Sequence, residues 1–376
     1  MLKTPIELYK LYRDRKTAEK IVCKIHDLAK SIGYKIKIMN FCGTHEYTIT
    51  YYGIRSLMPE NIELVAGPGC PVCIVPAKYI DVCVDLALSG ITVFTYGDMY
   101  RVPGSKLSLA EARSRGGKVK VVYGFLDVLK HRELKEAVFF GVGFETTQPT
   151  VASRIAENFV PNSLKILSAY RLTPPIMRYL LENNVVELHG VIAPGHVSTI
   201  IGSSSWEFLP EEFQIPTVVA GFEPIDVLLA ILNIVEQIFS GKAYLYNEYS
   251  RVVKREGNIL AKKYVEKCFE VCDASWRGIG VVPRSGLSFR KKYEKYDAVV
   301  EYGLDLKGGV DVKPGCRCSD VILGKAKPTD CPFFMKTCTP RHPYGPCMVS
   351  SEGTCSIWAR YGSLPRDSEA EQSEDK

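Results

Sequence analysis

The stretch AVFFGVGFETT, residues 137–147, joins an apolar, strand-like run to a glycine turn and to the start of a helix. The same order of strand, turn and helix recurs on both sides of this stretch. Such alternation is typical of parallel α/β units. Because residue 137 begins a second set of similar units, we predict an α/β fold with two Rossmann-like open parallel sheets rather than one closed barrel.

Outward from this stretch, short apolar runs and helical periodicity predict the remaining elements. The expected strands are residues 35–39, 63–65, 91–95, 119–122, 137–142, 164–168, 190–192 and 217–220. The expected helices are residues 77–89, 107–115, 146–158, 174–181 and 225–239, with one long helix over residues 1–32 and another over 243–272.

These elements predict three domains and a tail. Residues 34–136 would form a first α/β domain and residues 137–241 a second. Residues 1–33 and 242–364 would form a smaller helical domain, in which the N-terminal helix packs with a metal-stapled C-terminal segment. The acidic stretch 365–376 has the composition of a disordered tail.

Composition excludes several classes of protein. The net charge of +6 is mild and the basic residues are scattered, so nucleic-acid binding is not expected. No apolar stretch reaches the roughly 18–20 residues of a membrane span. The N-terminus lacks the apolar region of a secretory signal, which predicts a cytoplasmic protein.

Cysteine usage is unusual. The chain has 13 cysteines, although structural disulfides are disfavoured in a reducing compartment. Five fall between Cys23 and Cys83, six fall between Cys316 and Cys355, and the interval from Cys83 to Cys268 contains none. Clustering of this kind indicates chemistry rather than use as a small core residue.

Four C-terminal cysteines lie on successive turns rich in proline and glycine, separated by six, eight and seven residues: Cys331, Cys338, Cys347 and Cys355. Thiolates that converge from different directions suit a [4Fe–4S] cluster, which takes four of them. Structural zinc is the alternative, although zinc ligands usually come in Cys-x-x-Cys pairs. Cys316 and Cys318 would be an extra redox pair or part of the ligand set.

The motif CGTHE, residues 42–46, lies between a predicted strand and a helix. The N-terminus of a helix lowers the pKa of a thiol, and the thiolate is both nucleophile and metal ligand. His45 could assist Cys42 or bind a metal with it, and Glu46 could orient the histidine or cap the helix. The alternative is a buried cysteine beside a surface histidine.

The motif GPGCPVC, residues 67–73, places Cys70 and Cys73 at a predicted helix start. This context favours a thioredoxin-type redox pair. A metal site is the rival reading, although one Cys-x-x-Cys pair supplies only two ligands.

Three further motifs follow strands, namely GFETT at 143–147, PGHVS at 194–198 and GFEP at 221–224. Each could be an ordinary capped helix. Together they place Glu145, His196 and Glu223 at the carboxyl ends of strands, where they could converge across a cleft. Nucleotide binding has no support, because no Walker A sequence occurs.

These motifs, in this order and together with the C-terminal cysteines, resemble the HypD family of hydrogenase maturation factors over nearly the whole chain. The resemblance implies two α/β domains and a third with a [4Fe–4S] cluster. It also implies a complex with a small HypC-type chaperone, cyanide delivered by a HypE-type donor, and assembly of the Fe(CN)₂CO unit of [NiFe] hydrogenase.

Carried onto this sequence, the resemblance implies that Cys42 binds the transient Fe(CN)₂CO iron, with His45 beside it. Cys70 and Cys73 would be a dithiol pair, and the cluster ligands would be Cys331, Cys338, Cys347 and Cys355. The chain would be a redox-active scaffold rather than a conventional enzyme. Two alternatives are a cluster-containing thiol–disulfide oxidoreductase acting through the dithiol and a zinc-stapled docking protein.

Overall fold

The computed structural model describes residues 5–131 and 136–362. The strands are β1 (Ile36–Asn40), β2 (Ile62–Ala66), β3 (Thr92–Tyr96), β4 (Val119–Val122), β5 (Ala137–Gly143), β6 (Leu164–Tyr170), β7 (Gly190–Pro194), β8 (Thr217–Ala220), β9 (Leu245–Asn247), β10 (Phe269–Trp276) and β11 (Gly280–Phe289). The helices are α1 (Pro5–Leu11), α2 (Arg15–Ala29), α3 (Gly43–Tyr51), α4 (Ala77–Leu88), α5 (Gly97–Tyr100), α6 (Leu109–Ser114), α7 (Phe125–Leu129), α8 (Gln148–Ala156), α9 (Thr173–Glu182), α10 (Gly195–Ile201), α11 (Phe208–Phe213), α12 (Pro224–Phe239), α13 (Ile259–Cys268), α14 (Ala298–Tyr302), α15 (Cys318–Ile322), α16 (Pro346–Val349) and α17 (Thr354–Tyr361).

Two parallel sheets organise the molecule. The first has five strands in the order β2-β1-β7-β8-β9, and the second has four in the order β4-β3-β5-β6. Every residue of β5 and of β7 is buried, as expected for parallel strands whose two faces are covered. The predicted α/β class and the two open parallel sheets are confirmed.

The chain does not fill the two sheets one after the other. β1 and β2 precede all strands of the second sheet, whereas β7, β8 and β9 follow them. The predicted division at residue 137 therefore does not follow the sheets, because the first sheet takes strands from both sides of that residue. Periodicity identifies each strand locally, but the partner of a strand is set by its crossover connection, which leaves no local mark.

The N-terminal segment forms two helices rather than one. Asp14 caps the start of α2, and its carboxylate accepts a hydrogen bond of 2.8 Å from the backbone N–H of Thr17. This N-cap interrupts the helical pattern that periodicity alone extends. α2 packs on α12, where Ile25 joins the core beside the first sheet, whereas packing with the C-terminal segment was expected.

Residues 243–272 also differ from the single helix predicted there. β9 extends the first sheet, α13 packs on α8, and β10 pairs with β11 in an antiparallel hairpin. The hairpin contacts α9 and β6, so this part of the expected C-terminal domain is built onto the two sheets.

The cysteine-rich C-terminal segment carries α15, α16 and α17, and α17 packs on α3. The predicted disordered tail, residues 365–376, lies outside the described residues. Among residues 5–131 and 136–362, every helix is too short or too polar to cross a membrane.

Candidate functional site

A cleft of about 480 Å³, partly open to solvent, lies where the carboxyl ends of both sheets meet. Parallel α/β sheets place their ligand sites at this edge, because the loops that follow the strands converge there. The residues that line the cleft include Cys42, Pro71, Asp98, Thr147, His196 and Glu352. Four of the predicted motifs and a C-terminal loop therefore share one cavity.

Cys42 is the residue immediately before α3 and is partly exposed in the cleft. Burial and the carboxylate of Glu352 raise the pKa of its thiol to about 11, although the backbone N–H groups of Thr44 and His45 act in the opposite direction. The lowered pKa expected at a helix start is therefore wrong, because desolvation outweighs the effect of the helix end. Without a metal, this thiol stays protonated at neutral pH.

Close packing joins three segments around Cys42. A Cβ atom on Gly43 would lie 2.6 Å from the Cβ atom of Glu352, so the C-terminal loop rests directly on the start of α3. Asp98 holds that loop across the cleft by accepting hydrogen bonds from the hydroxyl groups of Ser350 (2.9 Å) and Ser351 (3.0 Å). The loop connects Cys347 to Cys355, so the cysteine-rich segment itself forms a wall of the cleft.

His45 is buried on the side of α3 that faces the end of β8. Its Nε2 lies 2.8 Å from the carbonyl oxygen of Gly221, and its Nδ1 has no hydrogen-bond partner. Burial lowers the pKa of this histidine to about 4, so the imidazole is neutral at pH 7. Phe222 stacks on both His45, at 4.7 Å between ring centroids, and His196, at 3.8 Å.

Glu46 has a different role from either one expected. It is buried, forms an ion pair of 2.8 Å with Arg55, and accepts hydrogen bonds from the side chains of Asn40 (2.9 Å) and Trp358 (2.6 Å). The carboxylate thus ties α3 to α17. No local pattern indicates this contact, since Trp358 is 312 residues away from Glu46.

Cys70 and Cys73 are joined by a disulfide and are both buried. They lie in a turn that ends before α4 begins at Ala77, so they are not in the first turn of that helix as predicted. Pro71, between them, lines the cleft, whereas Cys73 lines a second cavity. The pair therefore lies between these two cavities.

The six C-terminal cysteines line one small cavity, whose wall also contains Phe334 and Met348: Cys316, Cys318, Cys331, Cys338, Cys347 and Cys355. Backbone N–H groups point at two of the sulfur atoms. Tyr344 donates to Cys338 at 3.3 Å, and Cys355 donates to Cys347 at 3.2 Å. Cys316 and Cys318 also line the cavity that contains Cys73.

This cavity fits a cluster bound by several thiolates. The sulfur atoms converge on it from separate turns, its wall is apolar, and N–H groups of the kind that tune iron–sulfur centres reach the sulfurs. No group of three or more ligating side chains within residues 5–131 and 136–362 is arranged to hold a single metal ion.

Glu145 and Glu223 serve as helix caps. Glu145 accepts a hydrogen bond of 2.7 Å from the backbone N–H of Thr173 at the start of α9, and burial raises its pKa to about 7. Glu223 caps the start of α12 and forms an ion pair with Arg13. Of the three residues expected to converge across the cleft, His196 lines it.

Two residues of the cleft were missed at the level of sequence, namely Asp98 and Glu352. Asp98 follows β3 without a motif around it. Glu352 lies in a glycine-containing turn before Cys355 and belongs to none of the motifs. No local sequence pattern indicates that either residue lines the same cleft as Cys42.

Comparison with known proteins shows the family to which this chain belongs. The sequence model described as the hydrogenase formation hypA family, HypD, matches residues 16–362. A protein of Methanocaldococcus jannaschii named for hydrogenase expression/formation is 47% identical over 93% of this chain and 98% of its own length. The hydrogenase maturation factor HypD of Escherichia coli is 37% identical over 93% of this chain and 96% of its own length. The chain therefore belongs to the HypD family of hydrogenase formation proteins.

Proposed function

We propose that this protein is the cytoplasmic scaffold on which the Fe(CN)₂CO unit of [NiFe] hydrogenase is assembled. In this proposal the iron is the substrate, Cys42 is its thiolate ligand, and a small HypC-type chaperone supplies a second cysteine. A HypE-type donor delivers the cyanide. The observation that carries the proposal is the position of Cys42, the one cysteine among the lining residues of a cleft bounded by both sheets and by the cysteine-rich segment.

The residues around Cys42 suit the binding of a soft metal. Iron carrying cyanide and carbon monoxide prefers thiolate, and binding requires the thiol of Cys42 to lose its proton. The neighbouring Glu352 has a pKa raised to about 6 by burial and by Asp98, so it is ionised at pH 7 and can accept that proton.

The ring of His45 is oriented so that its Nδ1 atom could bind a metal or accept a hydrogen bond. The Nε2 atom faces the carbonyl oxygens of Gly221 and Ala220, which only accept hydrogen bonds, so Nε2 carries the ring proton. The lone pair on the buried Nδ1 is therefore free of a partner. This tautomer would leave Nδ1 as the ligating atom beside the iron.

In this proposal the C-terminal cavity would hold a [4Fe–4S] cluster, with Cys331, Cys338, Cys347 and Cys355 as its ligands. When bound, the cluster would supply one-electron chemistry to the nearby Cys70–Cys73 pair. Cys316 and Cys318 line the space between the cluster cavity and Cys73. The chain would thus act as a redox-active scaffold rather than as a conventional enzyme, with separate positions for the cargo, the dithiol and the cluster.

Complementation tests this proposal. In a host that lacks its own protein of this family, the Cys42→Ala variant should abolish [NiFe] hydrogenase activity. The Cys23→Ala variant, which removes an exposed cysteine outside these motifs, should restore it like wild type. Full hydrogenase activity with Cys42→Ala would refute the assignment of Cys42.

A second function is favoured by the disulfide between Cys70 and Cys73. A thiol–disulfide oxidoreductase would reduce a partner disulfide through this pair and would not need Cys42. Reduction of a generic disulfide substrate that is lost in Cys70→Ser and unaffected in Cys42→Ala would favour this alternative.

A further inference from the structure

A buried arginine, Arg277, faces the C-terminal cysteines. It follows β10 directly and is only 2% exposed. Its side chain lines a small cavity together with Cys73, Cys316 and Cys318. Because Cys316 and Cys318 also line the cavity of the four other cysteines, a guanidinium group lies one layer of residues from the proposed cluster.

The guanidinium of Arg277 is incompletely satisfied. Its Nη2 donates to the carbonyl oxygen of Pro103 at 3.1 Å, but its buried Nε has no acceptor. Within the described part of the chain, Arg277 has no carboxylate oxygen within the 4.0 Å of an ion pair.

Asp311 and Asp81 are the carboxylates that act electrostatically on Arg277, but both accept their hydrogen bonds from other groups. Asp311 accepts hydrogen bonds from the backbone N–H groups of Ala77 (2.8 Å) and Gly278 (3.4 Å). Asp81 accepts from the backbone N–H (2.8 Å) and the hydroxyl group (2.6 Å) of Ser105. Neither carboxylate forms an ion pair with Arg277, so they offset its positive charge only from a distance.

An arginine side chain stays protonated in proteins, and burying its charge is costly unless an anion faces it. Cysteines that bind a metal are deprotonated, so the neighbouring cysteine cavity becomes anionic when it is loaded. We propose that Arg277 is the buried counter-charge of the C-terminal cysteine centre and a positioning residue that makes this centre easier to reduce. This inference rests on the proposed function, which assigns a [4Fe–4S] cluster to that cavity.

The sign of the effect follows from charge. Reduction adds a negative charge to the cluster, and a fixed positive charge nearby stabilises the reduced form. Lys313 lines the same cavity but is exposed, so solvent screens its charge. Arg277 is thus the cation of this cavity wall whose removal should change the reduction potential most.

The test compares neutral and charged replacements in the full chain, purified without oxygen. Redox titration followed by electron paramagnetic resonance measures the cluster potential in wild type, Arg277→Met, Arg277→Gln and Arg277→Lys. Both neutral variants should disfavour reduction at least tenfold, which is 59 mV more negative for a one-electron couple. The lysine variant should retain most of the wild-type potential.

Arg171→Met is the matched control. Arg171 is 1% exposed, and its guanidinium donates to the carbonyl oxygens of Ser275 and Tyr170, away from the cysteine cavity. Its loss should weaken the fold and leave the potential unchanged. If Arg277→Met fails to fold, the comparison of Arg277→Gln with Arg277→Lys decides.

The failures of the two proposals are distinguishable. Iron and sulfide in the wild-type protein with an unchanged potential in the neutral variants would overturn the role of Arg277 alone. Absence of iron and sulfide from the wild-type protein would overturn the proposed cluster and the role of Arg277 with it.

Discussion

A Cβ atom on Gly69 would lie 2.7 Å from both the backbone nitrogen and the Cα atom of Cys42. The loop that leads to the Cys70–Cys73 disulfide therefore rests on the backbone of the thiol that we propose binds iron. This approach needs a residue without a side chain at position 69. The two N-terminal cysteine motifs thus form one packed unit at the edge of the cleft.

Replacement of Gly69 by alanine should separate these two motifs. The added methyl group meets backbone atoms, which cannot rotate away, so we expect a loss of about 1–3 kcal/mol in the free energy of unfolding. Guanidinium denaturation measures this loss. Gly33→Ala is the control, because a Cβ atom there meets nothing within 4 Å. Equal stability of the two variants would show that the contact is not tight.

Removal of Arg55 should destabilise the protein strongly. Glu46 is 1% exposed, and Arg55 is its ion-pair partner at 2.8 Å, so Arg55→Met leaves a buried carboxylate without a cation. Loss of one partner from a buried pair costs about 3–5 kcal/mol. The exposed pair of Arg15 and Glu19 offers the control, since Arg15→Met should change stability by less than about 1 kcal/mol. Thermal and chemical unfolding of both variants compare the two costs, and a small effect at Arg55 would contradict the buried role of Glu46.

His45 should make the stability of the metal-free protein depend on pH. Burial lowers its pKa from 6.5 to about 4, so the unfolded chain binds more protons than the folded chain between these values. The stability therefore falls as the pH drops from 6.5 towards 4, by about 3 kcal/mol in total.

The comparison with His45→Gln isolates this contribution. Glu145, whose pKa is raised to about 7, changes stability in the opposite direction but is present in both proteins. Urea denaturation from pH 7 to pH 4 should show a steeper loss in wild type than in the variant. Parallel curves would mean that His45 is not buried in neutral form.

The carboxylate of Glu352 should slow the reaction of Cys42 with alkylating agents. It raises the pKa of the Cys42 thiol, after the larger effect of burial, so Glu352→Gln should increase the thiolate fraction at pH 8. We expect an increase of about threefold in the rate of alkylation by iodoacetamide. Peptide mass spectrometry follows Cys42 with the exposed Cys23 as internal reference, and Glu60→Gln, on the surface, should leave the rate unchanged. A slower reaction in Glu352→Gln would contradict the predicted sign.

Serine substitutions should distinguish the cluster ligands from the neighbouring thiols of Cys316 and Cys318. Cys331→Ser should lose most of the iron and acid-labile sulfide of the protein, because one of four ligands is removed. Cys316→Ser should retain them, since Cys316 faces the cavity of Cys73 as well as the cluster cavity. Iron and sulfide analysis of anaerobically purified protein distinguishes the two. The reverse pattern would assign Cys316 to the ligand set, and zinc without iron would favour a structural zinc site.

The sequence predicted β1 to β8, each of which is a short apolar run, but it missed β9, β10 and β11. Val119–Val122 and Thr217–Ala220 were predicted to the residue, and residues 77–89 nearly match α4. The distribution of strands between the sheets could not be predicted, because β1 pairs with β7, which begins 150 residues later. No local pattern encodes that pairing.

The candidate site, too, could be predicted from the sequence only in part. The position of Cys42 at the end of a strand and the location of His196 in the cleft follow from motifs after strands. The contact of Glu352 with Gly43 depends on the path of the C-terminal segment, which crosses back over the cleft. The raised pKa of Cys42 depends on burial in three dimensions, and a rule about helix ends could not supply it.

The most direct test of the proposed scaffold is infrared spectroscopy of the protein purified with its small chaperone from cells that make [NiFe] hydrogenase. Wild type and Cys23→Ala should show the stretching bands of iron-bound carbon monoxide and cyanide, and Cys42→Ala should lose both while retaining its cluster iron. Bands of equal intensity in Cys42→Ala would contradict the role of Cys42 as the iron ligand.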